Sequence, residues 1–237
     1  MSILVETFPA LSVGGPVQNA FIGRVSDLDV HTDRVTALTR LARYHEQARR
    51  DLGFQGMPFV TAEQVHGNRV AIVDSSAAKP TASPLHRIGK PAPIPVVPGV
   101  DALITDQRNI CLGIYVADCC AVYAVDTENN VIGLAHSGRK GTELGVVPAM
   151  LEQMHCAFGT DPAKVIVQLS PCIRPPHYEV DFAAEIVRQC QEAGVGEVVD
   201  CGSNTGAEPD RYYSYRMEKG QTGRMLALLA VRSEGGR

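Results

Sequence analysis

Three short segments carry side chains that can bind a metal ion or activate a nucleophile: Gln64-Val65-His66-Gly67, Ala117-Asp118-Cys119-Cys120 and Leu134-Ala135-His136-Ser137-Gly138. Each lies beside an apolar, β-rich run, which places its reactive side chain at a strand end, where sites gather. His66, Cys119 and His136 offer two imidazoles and a thiolate, a zinc set of the catalytic type that leaves a fourth position for water or substrate. The three are far apart in the chain, and no local spacing forces them together. Spacing alone leaves two readings open: a convergent metal set, or two ordinary histidines and a buried thiol.

Two further constellations point to anions or planar rings. Ser137-Gly138-Arg139-Lys140-Gly141-Thr142 precedes a helix expected from Glu143. Glycines there let backbone N–H groups approach an anion, and Arg139 and Lys140 add full charges, so the segment reads as a phosphate or carboxylate site or as a solvated basic turn. Arg211-Tyr212-Tyr213-Ser214-Tyr215-Arg216 interleaves aromatics with guanidinium groups; it suits a planar base or an anion, with Arg216 as candidate, or else a half-buried edge strand. Asp118, beside Cys119, reads as a support for the metal set, a general acid/base or a turn cap. His31, His45, His86, His155 and His177 have no convergent partners and read as surface or packing residues.

The elements that must position these groups follow from periodicity. Val35, Leu38, Leu41, Ala42, Ala48 and Leu52 predict one amphipathic helix over 32–52, capped at Thr32 or Asp33 and stopped by Gly53. Short strands are expected at 58–62 and 69–74, and four apolar runs at 100–105, 110–116, 121–125 and 131–135 are expected to form the central sheet. Helices are expected over 143–158 and 181–193, and strands over 165–169 and 198–200. The run Met225–Val231 fits helix and strand equally, and residues 233–237 are expected to fray. Residues 79–98 hold six of the fifteen prolines and read as an extended loop inside one domain spanning 1–237. Together these predict an α/β or α+β layered fold with mixed sheets, without a P-loop or a dinucleotide-binding glycine motif.

Composition narrows the class. With 237 residues, 45% hydrophobic and 20% charged, the chain is neither disordered nor a disulfide mini-protein. A net charge of -4 argues against a nucleic-acid binder. The absence of a long apolar run and of a basic leader points to the cytoplasm and away from a membrane. Seven cysteines without a C-x-x-C pair read as free thiols, with Cys111, Cys156, Cys172, Cys190 and Cys201 as small buried hydrophobes. Seven histidines without a His-x-His pair exclude a trinuclear copper cluster. The oligomeric state is not legible.

The order of Gln64-Val65-His66-Gly67, Asp101-Ala102-Leu103-Ile104-Thr105, Ala117-Asp118-Cys119, Ala135-His136-Ser137-Gly138, Pro171-Cys172-Ile173, and Ser214-Tyr215-Arg216 with Thr222-Gly223-Arg224 resembles the YfiH-like, or laccase-domain, FAMIN-related family. The resemblance implies a four-layer α/β/β/α fold and a single zinc held by His66, Cys119 and His136. It also implies phosphorolysis of adenosine, inosine, guanosine and methylthioadenosine, with adenosine deamination, on small-molecule nucleoside and phosphate substrates. Three alternatives stand beside it: an amidase-type hydrolase editing peptidoglycan precursors with Cys119 as nucleophile, a copper-dependent polyphenol oxidase, and a non-catalytic zinc-binding protein. The chain departs from the family where Gly138-Arg139-Lys140-Gly141 replaces the usual Gly-Trp-Arg-Gly, and where Arg174 replaces a Gly after Pro-Cys-Ile.

Overall fold

The computed structural model describes residues 2–12, 15–75 and 95–233, so most of the proline-rich segment 79–98, His86 and the last four residues lie outside the described residues. Two six-stranded mixed sheets form the centre. The first contains, in spatial order, β1 (Ile3–Glu6), β2 (Val17–Val25), β12 (Met225–Val231), β7 (Cys111–Val116), β3 (Phe59–Ala62) and β5 (Val96–Val97). The second contains β11 (Glu197–Asp200), β10 (Val165–Leu169), β8 (Cys120–Asp126), β9 (Ile132–Ser137), β6 (Ala102–Thr105) and β4 (Val70–Ile72). β7–β3–β5, β10–β11 and β4–β6 run parallel, and the remaining pairs are antiparallel.

The strand periodicity of two sorts side chains into layers. Ala121, Tyr123 and Val125 of β8 meet Leu112 and Ile114 of β7 and Ala227 and Leu229 of β12 between the sheets. The alternate residues Cys120, Val122 and Ala124 pack with Val147, Met150, Met154, Phe182 and Ile186 from α3 (Val146–Phe158) and α4 (Phe182–Glu192). On the far face, Leu226, Leu228 and Ala230 pack with Ala48 of α1 (Arg34–Asp51), Phe54 just after it and Phe59 of β3. The expected α/β/β/α order of layers results. β12 is apolar at every position because both of its faces are buried, which is why its pattern could not separate helix from strand.

Helix boundaries follow their caps. Asp33 accepts from the Val35 and Thr36 amides at 2.9 and 3.1 Å, and Gly159 ends α3 in the left-handed conformation at φ 72°. The helix expected over 143–158 is two: α2 (Arg139–Glu143) and α3, parted at Gly145, whose φ of 73° breaks the run.

Two other expectations change. β7 does not join β6, β8 and β9 but crosses to the other sheet, because both of its faces are apolar and fit either layer. Residues 211–216 form an irregular segment flanked by turns, so of the two readings of this segment the edge strand does not hold. β1 and β2, in the N-terminal segment that periodicity left unassigned, complete the first sheet. The described end of the proline-rich segment pairs as the two-residue edge strand β5, where proline is tolerated. No helix among the described residues is long and apolar enough to cross a membrane.

Candidate metal centre and substrate cavity

The chain passes between the sheets from β3 to β4 and from β7 to β8, and these crossings carry His66 and Cys119. His136 lies in β9, opposite Ala121 of β8, while Cys120 faces Ser137. That register sets Cys119 against Gly138, where an added Cβ would lie 2.5 Å from the Cys119 Sγ. Glycine is thus required for the thiol to occupy its place. The metal-binding atoms of His66, Cys119 and His136 all lie within 4.8 Å of one another. The two imidazole rings meet edge to face with centroids 4.8 Å apart. Of the two readings open on spacing, the convergent one describes the geometry.

Asp101 organises this group. Pairing of Ala102 with Ala135 brings it beside His136, and its fully buried carboxylate accepts from His136 Nδ1 at 2.9 Å. The same carboxylate accepts from the amides of Val65, His66 and Gly67 at 3.2, 2.8 and 2.7 Å. One side chain therefore directs His136 Nε2 toward the thiol and holds the loop bearing His66. That loop needs the help: Gln64 and His66 adopt φ of 65° and 61°, and Asp118 on the other crossing adopts 81°. Side chains other than glycine rarely occupy this region unless surrounding contacts impose it.

The electrostatics agree. Burial acts to raise the Asp101 carboxyl, but hydrogen bonds from His136 and from the Gly67 and His66 amides outweigh it and hold the group below its usual range. Burial also opposes ionisation of Cys119, yet His136 and then His66 bring the thiol down to about 6. His136 moves up, against its own burial, through the thiolate and Asp101.

These groups open onto a cavity of about 450 Å³, within the range of small-molecule sites. Its walls include Tyr115, Tyr178, Phe182 and Tyr215, and four arginines: Arg34, Arg139, Arg216 and Arg224. Asp118 also reaches it, but one carboxylate oxygen accepts from Thr205 Oγ1 and the other from the Arg216 amide, both at 2.7 Å. It is a turn clamp.

The sequence candidates separate here. Arg139 and Arg216 meet at the rim, where both guanidinium groups pair with Glu179, at 3.8 and 3.0 Å. Lys140 is exposed and does not line the cavity. Arg211 turns away to Glu6 and Glu208, and Tyr212 and Tyr213 are buried in the core. Arg174 clamps Asp200 with both terminal nitrogens and reaches the Ser203 carbonyl, a structural role. Among the thiols, Cys111, Cys172 and Cys190 are buried as expected, whereas Cys156 is exposed.

The sequence pattern of the multi-copper polyphenol oxidoreductase laccase family matches residues 23–189 and 180–232. The chain belongs to that family. Within the laccase-like family, it is 35% identical over 143 residues to the purine nucleoside phosphorylase SCO2081 of Streptomyces coelicolor, covering 60% of this chain and 52% of that protein. It thus spans about half the length of that relative. It is 31% identical over 215 residues to a purine nucleoside phosphorylase of Deinococcus radiodurans, covering 78% of this chain and 75% of the relative. The crystal structure of YlmD from Geobacillus stearothermophilus superposes with a TM-score of 0.80 at 23% identity over 93% of each chain, a likeness of fold.

For a laccase-like family member, the donor set is informative. Among the described residues, one group of three metal-binding side chains is present, two imidazoles and a thiolate. It suits one borderline-soft ion of zinc type rather than a copper cluster, which needs many imidazoles. Sequence reasoning missed Arg34 as a cavity residue. A signal existed: Arg34 is the first residue of a helix with no acidic residue in its first turn, where a cation opposes the helix dipole.

Proposed function

We propose that this laccase-like protein is a zinc-dependent purine nucleoside phosphorylase that also deaminates adenosine. The observation that carries this reading is the His66–Cys119–His136 group opening directly into a cavity walled by aromatic rings and guanidinium groups. The naming of the Streptomyces and Deinococcus relatives supports it. His66, Cys119 and His136 would hold the zinc, which supplies Lewis acidity when bound.

The chain's own residues supply the rest. Tyr178 and Tyr215 offer faces for a purine, as aromatic stacking partners in place of the Trp that Arg139 replaces. Arg139 and Arg216, tied through Glu179, would contact the hydroxyl-bearing end of a nucleoside. Phosphorolysis forms a bond from a phosphate oxygen to ribose C1′ as the C1′–N9 bond breaks; the base keeps the electron pair and takes up a proton. Deamination adds water at C6 and expels ammonia. Adenosine, inosine, guanosine and methylthioadenosine are the expected substrates.

One observation favours a second reading. Cys119, His136 and Asp101 also form a nucleophile, a base and an orienting carboxylate, as a thiol-dependent amidase would require. The convergence of His66 on the same thiol argues for a metal, because a triad uses one histidine. Metal-verified protein assayed on the four nucleosides, with and without phosphate, tests both. Stoichiometric zinc with phosphate-dependent release of free base is the expected result; an active metal-free protein that cleaves amides and ignores nucleosides would overturn it.

A further inference from the structure

Arg34 and Arg224 differ from the other cavity arginines in having no acidic partner among the described residues. Neither forms an ion pair with a carboxylate among the described residues, whereas Arg139 and Arg216 both pair with Glu179. Arg34 donates no hydrogen bond among the described residues, and its Nε is fully buried without a partner. Arg224 commits only one terminal nitrogen, to the Thr222 and Gly223 carbonyls of its own loop. The acids nearest in effect are occupied: Glu63 accepts from the Gly99 amide at 2.7 Å, and both oxygens of Asp118 are used as described.

Two part-buried guanidinium groups thus share one wall, unneutralised and with most of their donors unused. Burial, and for Arg224 the charge of Arg34 next, make both cations harder to keep protonated. Both line the cavity into which His66, Cys119 and His136 open. Such an arrangement is unfavourable by itself and becomes favourable when an oxyanion sits between the forks, since the planar donor fork of arginine matches phosphate oxygens.

We propose that Arg34 and Arg224 together bind the phosphate co-substrate as free orthophosphate, in place of the Arg139–Lys140 turn to which the sequence points. The identity of the anion as co-substrate rests on the phosphorolysis reading; the anion site does not. The turn is the weaker seat: Arg139 is engaged by Glu143 at 2.9 Å and by Glu179, and Lys140 faces away from the cavity walls. The same two forks would also grip the phosphate of a nucleoside 5′-monophosphate, and the test separates these sources.

Zinc-loaded, phosphate-free full-length protein is titrated calorimetrically with inorganic phosphate, with adenosine and with adenosine 5′-monophosphate. R34Q and R224Q should each weaken phosphate binding at least about tenfold, consistent with loss of a charge-assisted contact. R34K and R224K, which keep the charge but lose the fork, should fall between these and the native protein, and they serve if a Gln variant does not fold. K140A should stay within about twofold, and the monophosphate should bind no tighter than adenosine. Phosphate affinity unchanged in both arginine variants, or lost in K140A, would overturn the assignment. A monophosphate that binds far tighter than adenosine, through Arg34 and Arg224, would overturn the choice of free phosphate. Arginine-dependent phosphate binding without any nucleoside turnover would sink the phosphorolysis reading and leave the anion site standing; phosphorolysis insensitive to both arginines would do the reverse.

Discussion

The two sides of the cavity are built on opposite terms. On the metal side Asp101 accepts four hydrogen bonds, the strand register places His136 and Cys119, and Gly138 leaves room for the sulfur. On the arginine side, Arg34 and Arg224 have no acidic partner among the described residues, and Arg34 keeps a buried Nε unpaired there. Three of the seven described non-glycine residues with positive φ, Gln64, His66 and Asp118, lie on the metal side. A resident ion calls for ligands oriented in advance, because each misplaced donor reduces affinity. A ligand that arrives and leaves each cycle calls for donors that are satisfied only when it is present. The difference separates groups oriented in advance, which suit a metal ion, from the two arginines left without acidic partners among the described residues, which suit an anion.

The most damaging way to break the contrast is to remove a metal ligand. C119A should reduce zinc occupancy from one per chain to near none at limiting metal and abolish nucleoside turnover, losing at least about a hundredfold. Elemental analysis alongside the assay reads both, and full occupancy in C119A would refute the ligand assignment. G138A comes next: its methyl would lie 2.5 Å from the Cys119 Sγ, so the thiol must move. A fall in zinc affinity with folding retained is expected, and a chelator competition that shows native affinity would contradict it.

D101N tests the organising role with a near-isosteric change. Zinc affinity is expected to fall by roughly 10–100-fold, because His136 loses its anionic partner and the His66 loop loses its acceptor. The same variant has a pH signature. The folded-state Asp101 pKa is depressed, so its contribution to stability is complete above the unfolded value of about 3.9 and is lost as pH falls through the folded one. D101N should therefore flatten the acid limb of the stability profile measured by denaturant unfolding, and an unaltered limb would show that the carboxylate is not held as described.

Metal uptake sharpens the comparison further. With Cys119 lowered to about 6 and His136 raised to about 9, the empty pair near pH 7 is thiolate and imidazolium, so binding zinc must expel the His136 proton. Calorimetry in buffers of different ionisation enthalpy should register that proton, and the release should fade as pH rises past 9. The smallest effect belongs to the rim. E179Q breaks exposed pairs with Arg139 and Arg216 and should change stability by less than about 1 kcal/mol, while KM for nucleoside rises more than kcat falls. A zinc-loaded, copper-free preparation that oxidised a phenolic dye and left nucleosides intact would show that the laccase name describes the chemistry after all.

Local signals were readable wherever the chain answers to itself. Asp33 and Gly159 mark helix ends, Met150 and Met154 follow the helical period of α3, and the strands Phe59–Ala62 and Val165–Leu169 lie where apolar runs predict them. Each failure has its own local cause. β7 and β12 are apolar on both faces, and such runs carry no period to say which sheet, or even which secondary structure, they join. Arg34 was missed as a site residue because its period placed it at a helix start, and the one signal it carried, a cation opposing the helix dipole, names no ligand. Arg139 and Lys140, adjacent and both cationic, looked equivalent, yet their positions in α2 turn one to the cavity rim and the other to solvent.

The residue types supplied the candidates: two imidazoles and a thiolate that could hold one metal ion, and guanidinium groups and aromatic rings suited to an anionic or planar ligand. They also placed His66, Cys119 and His136 at strand ends. Convergence was decided only by tertiary structure. Cys119 meets His136 through the pairing of β8 with β9, Asp101 meets His136 through β6 with β9, and His66 is carried over by a chain crossing between sheets. Arg34 and Arg224 share a wall although one opens the first long helix and the other precedes the last strand. Side-chain period and capping act within a few residues of the chain, whereas register and layer packing act between segments whose order in sequence says nothing of their distance in space.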